Sequence, residues 1–312
     1  MKTDSVNLGP LEHLCGTWNN QDIPYSTPPM GGPANPYSYN VMPLPEDGGN
    51  DGRDYILKNF TYFEEITFNG PNALTAPAQA PNRGGTYQQT PNALFYDQQV
   101  KFAEGPTKGM VVHEENGAWL HLITEVQKSG PYGMQGQESG PVIPQPADMT
   151  LCKQISVPHG NSILSLGSFD SGNGKPTIPD APAPFPTPQT PDFIEPYKEL
   201  LNQPNNFQNP QPDLTLEPNK PIQDALKAIN SSQFIHLHVT TAELSGGQGI
   251  VTNIPFEIRK AEVTCYHADY WILGNGGKYN YLLYTQTIDM KITIDGVPHN
   301  FPHVTCNALT KK

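Results

Sequence analysis

Positive charge is scarce in this chain. Eighteen Lys and Arg stand against 30 Asp and Glu, a formal charge of −12 over 312 residues, with no basic run beyond Lys311-Lys312. Such a surface repels nucleic acid and anionic membranes, so neither is an expected partner. No stretch approaches the roughly 20 apolar residues of a spanning helix. The segment from Met1 to Pro10 lacks the apolar core of a signal peptide, and a cytoplasmic protein is the expectation. Cysteine is sparse: Cys15, Cys152, Cys265 and Cys306 form no Cys-x-x-Cys pair, which excludes a zinc knuckle and a thioredoxin motif and leaves free thiols as the expected state. No Gly-x-Ser-x-Gly elbow, phosphate-binding loop or nucleotide fingerprint is present, so nucleophilic hydrolysis and nucleotide-dependent chemistry have no support.

Proline and glycine, by contrast, are plentiful, with 34 and 28 residues. They cannot populate helix interiors or central strands freely, so the ordered core is smaller than the length suggests. Fourteen Tyr, 12 Phe and three Trp still supply one real core. The expectation is a single domain over 1–312, enlarged by a loop excursion at 19–53, a loop at 129–149 and a Pro-rich insertion at 170–232.

Strand signals dominate elsewhere. Leu11 to Trp18 reads as a helical turn bending at Gly16 into a strand, with Trp18 as an anchor. Aromatic and β-branched residues mark Tyr55 to Phe68, Gly84 to Gln89 and Asn92 to Phe102 as strands. Met110 to Ile123 reads as a hairpin turning at Asn116-Gly117, the strongest short-range hairpin signal. Further strands are expected at Met149–Val157 and Ser162–Phe169 around Pro158-His159-Gly160-Asn161, then at Phe234–Leu244, Phe256–Leu273, Tyr281–Met290 and Asn300–Thr310. Thirteen prolines fall between Asp170 and Pro221, with helical patterns only at Asp192–Asn202 and Pro221–Ile229. This insertion either packs over one end of the fold or is a surface excursion. Short strands joined by local turns, without alternating helices, predict an all-β, up-and-down antiparallel barrel of about ten strands, of the lipocalin or fatty-acid-binding-protein kind, able to enclose one small ligand.

One histidine, His303, enters the last strand, where alternation can aim an imidazole into a closed sheet or leave it as an ordinary core or surface residue. Four segments then read together. Leu14-Cys15-Gly16-Thr17-Trp18, Met110 to Trp119 with His113-Glu114-Glu115-Asn116-Gly117, Pro158-His159-Gly160 with Ile163 to Leu166, and Leu283 to Met290 followed by Pro302-His303-Val304-Thr305-Cys306-Asn307-Ala308-Leu309 resemble, in order, segments of the nitrobindin family. That resemblance implies a ten-stranded barrel holding haem b, with His303 as the iron ligand, and Met110, His113 and Met290 lining the cavity. It further implies ferric iron reacting with a small oxidant, by peroxynitrite isomerisation or peroxidase-type chemistry. The chain departs from the family in its length, in Asn19-Asn20-Gln21 after Trp18, in the Asn300-Phe301 region and in the 170–232 insertion.

Beside an open iron site His113 can act on a bound oxidant's proton; otherwise it pairs with Glu114 or Glu115 or faces water. Met110 and Met290 are otherwise core filler. A haem-free carrier of a hydrophobic small molecule is the alternative function, and association with a second copy of the chain stays open. His236 and His238 share one strand face and, with His267, can form a non-haem metal site, but no carboxylate is in evident register with them. Simple alternation instead turns them to solvent, with Ile235, Leu237 and Val239 inward.

Overall fold

The computed structural model describes residues 6–21, 37–46, 54–60, 62–69, 78–79, 87–103, 105–126, 149–188, 191–202 and 216–312. The 129–149 loop, except its last residue, therefore lies outside the described residues, as do much of the 19–53 excursion and the expected strand start at Gly84. Among the described residues no helix is long and apolar enough to cross a membrane.

Ten strands close into an antiparallel barrel. They are β1 (Gly16–Asn19), β2 (Tyr62–Phe68), β3 (Tyr87–Phe102), β4 (Val111–Val126), β5 (Leu151–Val157), β6 (Asn161–Asn173), β7 (Gln233–Thr240), β8 (Glu262–Asn275), β9 (Lys278–Ile294) and β10 (Val297–Lys311). Each pairs with the next in chain order, and β10 returns to β1 through Trp18↔Lys311 and Asn19↔Thr310. The up-and-down order predicted from sequence is the order observed. Closure leaves no free edge and creates an inner face, which strand alternation fills with Ile66, Phe68, Leu94, Trp119, Ile155, Leu237, Val239, Ala268, Ile272 and Leu309.

One end of the barrel is plugged by a 3-10 helix, Gly9–Leu14, whose Leu11 and Leu14 are fully buried. Trp18 donates its indole N–H to the Leu14 carbonyl at 2.6 Å, and the Lys311 ammonium lies 5.0 Å over its ring. That pair joins the first and last strands by packing as well as by backbone hydrogen bonds.

A second core lies on the outer wall. The strands Tyr39–Pro45 and Tyr55–Asn59 pair with each other, and the first also pairs with β10 beyond the short β1, through Asn40↔Thr305 and Tyr39↔Cys306. Two helices, α1 (Pro191–Asn202) and α2 (Lys220–Ala228), complete this layer. Tyr197, Leu200, Ile222, Ala225 and Ile229 bury their side chains against Trp271, Leu273, Leu283, Val304 and Ala308. The 170–232 insertion thus covers a side wall rather than an end, and its first residues, 170–173, still belong to β6. Burial on both faces explains the continuous apolar runs Trp271-Ile272-Leu273 and Leu282-Leu283-Tyr284.

Two local expectations are corrected. Asn116-Gly117 is no turn: β4 runs unbroken from Val111 to Val126, paired with β3 throughout. The glycine is there for closeness, since a Cβ at Gly117 would lie 1.9 Å from the Gln154 carbonyl oxygen of β5. The tight turn is Asp295-Gly296, both at positive φ (50° and 77°), the geometry of a two-residue hairpin; it makes β9 and β10 one long ribbon. Finally, the strand expected from Phe256 begins at Glu262, because Pro255 opens a short helix, α3 (Pro255–Lys260), where its fixed φ and missing N–H are tolerated.

Gly117→Ala is expected to destabilise the protein by about 1–3 kcal/mol, because β4 and β5 must separate to admit the methyl group. Chemical denaturation measures this, and an unchanged midpoint would show that the strands do not approach so closely.

Candidate functional site

Period-2 alternation along β2 to β5 sends several charged residues to the same face as the core. In β2 the inward series is Tyr62, Glu64, Ile66, Phe68; in β4 it is His113, Glu115, Gly117, Trp119; in β5 it is Leu151, Lys153, Ile155. Glu64, Glu115 and Lys153 are 1%, 4% and 1% exposed, so each must find partners inside the protein.

They do. The Lys153 ammonium donates to the phenol oxygens of Tyr266 (2.9 Å) and Tyr270 (3.0 Å) and to Glu115 Oε1 (3.3 Å). Aromatic rings surround it, with the Tyr96, Tyr266 and Tyr270 centroids 5.2–5.3 Å away and Trp119 at 5.8 Å. Tyr96 donates its hydroxyl to Glu115. Burial opposes ionisation of Glu115, but Lys153 and His113 outweigh it and hold the carboxyl down at about 2. Burial likewise disfavours the charged ammonium, and Glu115 with the tyrosines overrides it, so Lys153 stays protonated.

Glu64 is the opposite case. It accepts from Gln98 Nε2 at 2.6 Å, from Tyr284 at 2.8 Å and from the Asn307 amide, yet among the described residues no Lys or Arg pairs with it. Burial therefore prevails over these hydrogen bonds and pushes its carboxyl up to about 7. At neutral pH one buried carboxyl is thus ionised while the other is in mid-titration, for reasons of environment alone.

Beside this polar layer lie the histidines. His303 is on the inner face of β10, directly across from Ile288 of β9, with its Nε2 3.2 Å from Asn40 Oδ1. Burial, aided by the nearby His113, pushes its pKa down to about 4, so the imidazole is neutral at pH 7. His113 sits half-buried, its Nε2 3.8 Å from Glu115 Oε2 and its ring 5.9 Å from that of His159 in the β5–β6 turn. Met290 follows Ile288 on the same face of β9 and packs against the inner core. Met110 does not join them; it is 58% exposed in the turn before β4. Phe60, Tyr62 and Val100, with Met42, Phe102 and Val112 against them, form an apolar cluster of their own on the neighbouring strands.

His303 has the properties that holding iron would require. A ligand to iron must be neutral and inward-facing, and His303 is both, while the buried Thr305 Oγ1, two residues along the same strand face, has no hydrogen-bond partner among the described residues. The competing contact is Asn40, which already occupies Nε2.

Sequence reading singled out His303, His113 and Met290 but missed Glu64, Glu115 and Lys153. Glu64 and Lys153 do interrupt otherwise apolar alternating faces, whereas Glu115 lies between His113 and Gly117 and gives no such signal. The outer-wall reading of His236, His238 and His267 also needs correction. All three are partly exposed, but a carboxylate is in register with them: Asp269 is the direct cross-strand partner of His238.

Glu64 supplies a pH test. Its folded pKa is raised from 4.5 to about 7, so the folded state holds the proton more tightly. The resulting stabilisation is complete below the unfolded value and is lost as pH rises through 7, roughly 3 kcal/mol in all. The stability difference between the wild type and Glu64→Gln should therefore shift by that amount, against the wild type, between pH 4.5 and 7.5. Denaturant titrations at several pH values measure it, and a difference independent of pH would contradict a protonated Glu64.

Comparisons with protein-family models, with curated proteins and with solved structures returned no match to this chain. What is established is the architecture itself, a closed ten-stranded antiparallel β-barrel with a charged, aromatic interior.

Proposed function

We propose that the barrel holds haem b on His303 and turns over a small oxidant beside His113. The observation that carries this reading is a neutral His303 facing inward from β10, with a second inward histidine, His113, near it on β4. The sequence resemblance to nitrobindins, spread over both ends of the barrel, points the same way.

Haem b with one protein ligand supplies an iron with an open position for a diatomic or peroxide ligand. The protein's part is then orientation and proton handling. His303 presents a neutral ring nitrogen from a strand fixed on both sides by β9 and by Tyr39–Pro45. His113 takes or returns a proton at the oxidant, and Glu115, kept ionised by Lys153, lies 3.8 Å from its Nε2. The Lys153–Glu115 ion pair keeps Lys153 protonated and Glu115 ionised, so neither competes as the proton acceptor. Peroxynitrite isomerisation and a peroxidase-type reaction both fit this arrangement.

A second reading has its own support. Asn40 already satisfies His303, and Ile254, just before α3, with Phe256 and Ile258 within it, are 47–57% exposed, beside the β5–β6 turn that carries His159. That apolar rim suits a haem-free carrier of a hydrophobic molecule.

Absorption spectra during haem titration separate the two. On the haem reading the wild type develops a Soret band at one equivalent, His303→Ala loses at least tenfold in haem affinity, and His113→Ala keeps haem but reacts with peroxide about 10²-fold more slowly. A Soret band unchanged by His303→Ala, or no saturable haem binding at all, would remove this reading in favour of the carrier.

A further inference from the structure

The outer wall of β7 and β8 carries a cluster that the inner site does not use. His236 and His238 lie two apart on β7, and His267, Asp269 and Trp271 lie two apart on β8, so alternation puts all five on the outer face, where Trp271 is buried and the others stay partly exposed. His238 Nδ1 is 3.0 Å from Asp269 Oδ1, and His267 Nε2 is 3.2 Å from Asp269 Oδ2. One donor atom from each of His238, His267 and Asp269 falls within 4.8 Å of the others. Metal bonds of about 2.0–2.2 Å put neighbouring donors roughly 3–3.5 Å apart, so modest side-chain rotation closes the set. The two imidazole rings stand 4.8 Å apart and 68° to each other, which lets both nitrogens converge rather than stack.

A fourth residue holds the carboxylate in place. His236 lies 2.7 Å from Asp269 Oδ1 through Nε2 and 3.4 Å from Asp170 Oδ2 through Nδ1, and its ring stacks on Trp271 at 5.1 Å and 5°. With both ring nitrogens facing carboxylates, His236 is a donor to Asp269 and orients it, as outer-shell partners of metal ligands do. Water can complete the coordination, because His238 and His267 keep 34% and 42% of their side-chain surface exposed.

We propose that His238, His267 and Asp269 form a binding site for a first-row divalent transition metal ion of the zinc type, with His236 as a positioning residue. Two imidazoles and one carboxylate with room for water suit Zn²⁺, Co²⁺ or Ni²⁺ over Mg²⁺ or Ca²⁺, which prefer all-oxygen shells. The acidic surface, with a formal charge of −12, draws cations towards it. Position separates this site from His303: the cluster is on the opposite face of the barrel wall from the interior.

The test is titration of chelator-stripped full-length protein with Co²⁺, followed by visible ligand-field absorption and Trp fluorescence, with Zn²⁺ as competitor. One equivalent should bind saturably and be displaced by Zn²⁺. His267→Ala, the most exposed substitution, and Asp269→Asn should each weaken binding at least tenfold. His236→Gln should weaken it about tenfold while leaving the absorption envelope intact. His303→Ala should leave it unchanged, so failure of the haem reading leaves this result standing. Circular dichroism matching the wild type qualifies each variant. Absence of saturable Co²⁺ binding, or equal binding by His267→Ala and Asp269→Asn, would overturn the proposal.

Discussion

A lysine with almost no access to water anchors the interior of this barrel. An isolated ammonium in such a place is costly, and Lys153 persists because Glu115, two phenol oxygens and a surround of aromatic rings replace its hydration. The consequences spread outwards. Lys153 keeps Glu115 ionised, Glu115 sets the electrostatic environment of His113, and the tyrosines that hold Lys153 continue through the Tyr270–Tyr284 stack to Glu64. One buried charge therefore organises residues from β2, β3, β4, β5, β8, β9 and β10. Replacing half of such a network leaves the remaining charge unpaired, which is why its members depend on one another.

The barrel wall works on both sides. From β8 to β10 the inner face carries the aromatic and polar network, and the outer face carries a second apolar core under α1, α2 and the Tyr39–Asn59 hairpin. That second layer makes the Pro-rich insertion part of the fold. It also fixes the strand on which His303 sits, since Tyr39–Pro45 takes over as the neighbour of β10 where β1 ends. Asn40 reaches His303 from that added strand, so the excursion after Trp18 shapes the inner site directly.

The same alternation that sends His303 and His113 inward sends His236, His238 and His267 outward. Two histidine groups with different surroundings result. In the inner pair His113 is half-buried, and burial holds His303 neutral. The outer group is partly wet and gathered on Asp269, whose carboxyl the three imidazoles hold well below the usual range against the effect of burial. Chemistry on the two faces is therefore separated by the thickness of a single sheet.

Local pattern determined a good deal of this protein. Alternating apolar residues in Ile235-His236-Leu237-His238-Val239, turn residues at Pro158–Gly160 and Gly274–Gly277, and the lack of helical periodicity outside the Pro-rich segment are each short-range signals, and they were enough for an up-and-down barrel with His303 on its last strand. Tertiary structure decided what depends on partners far away in the chain. Gly117 looks like a turn until Gln154 is placed against it, and Asp269 looks unrelated to His238 until β7 and β8 pair. Glu64, Glu115 and Lys153 read as surface charges in a linear chain. Only closure of the sheet turns them inward together, because burial and ion pairing are properties of the enclosed space and not of any strand alone.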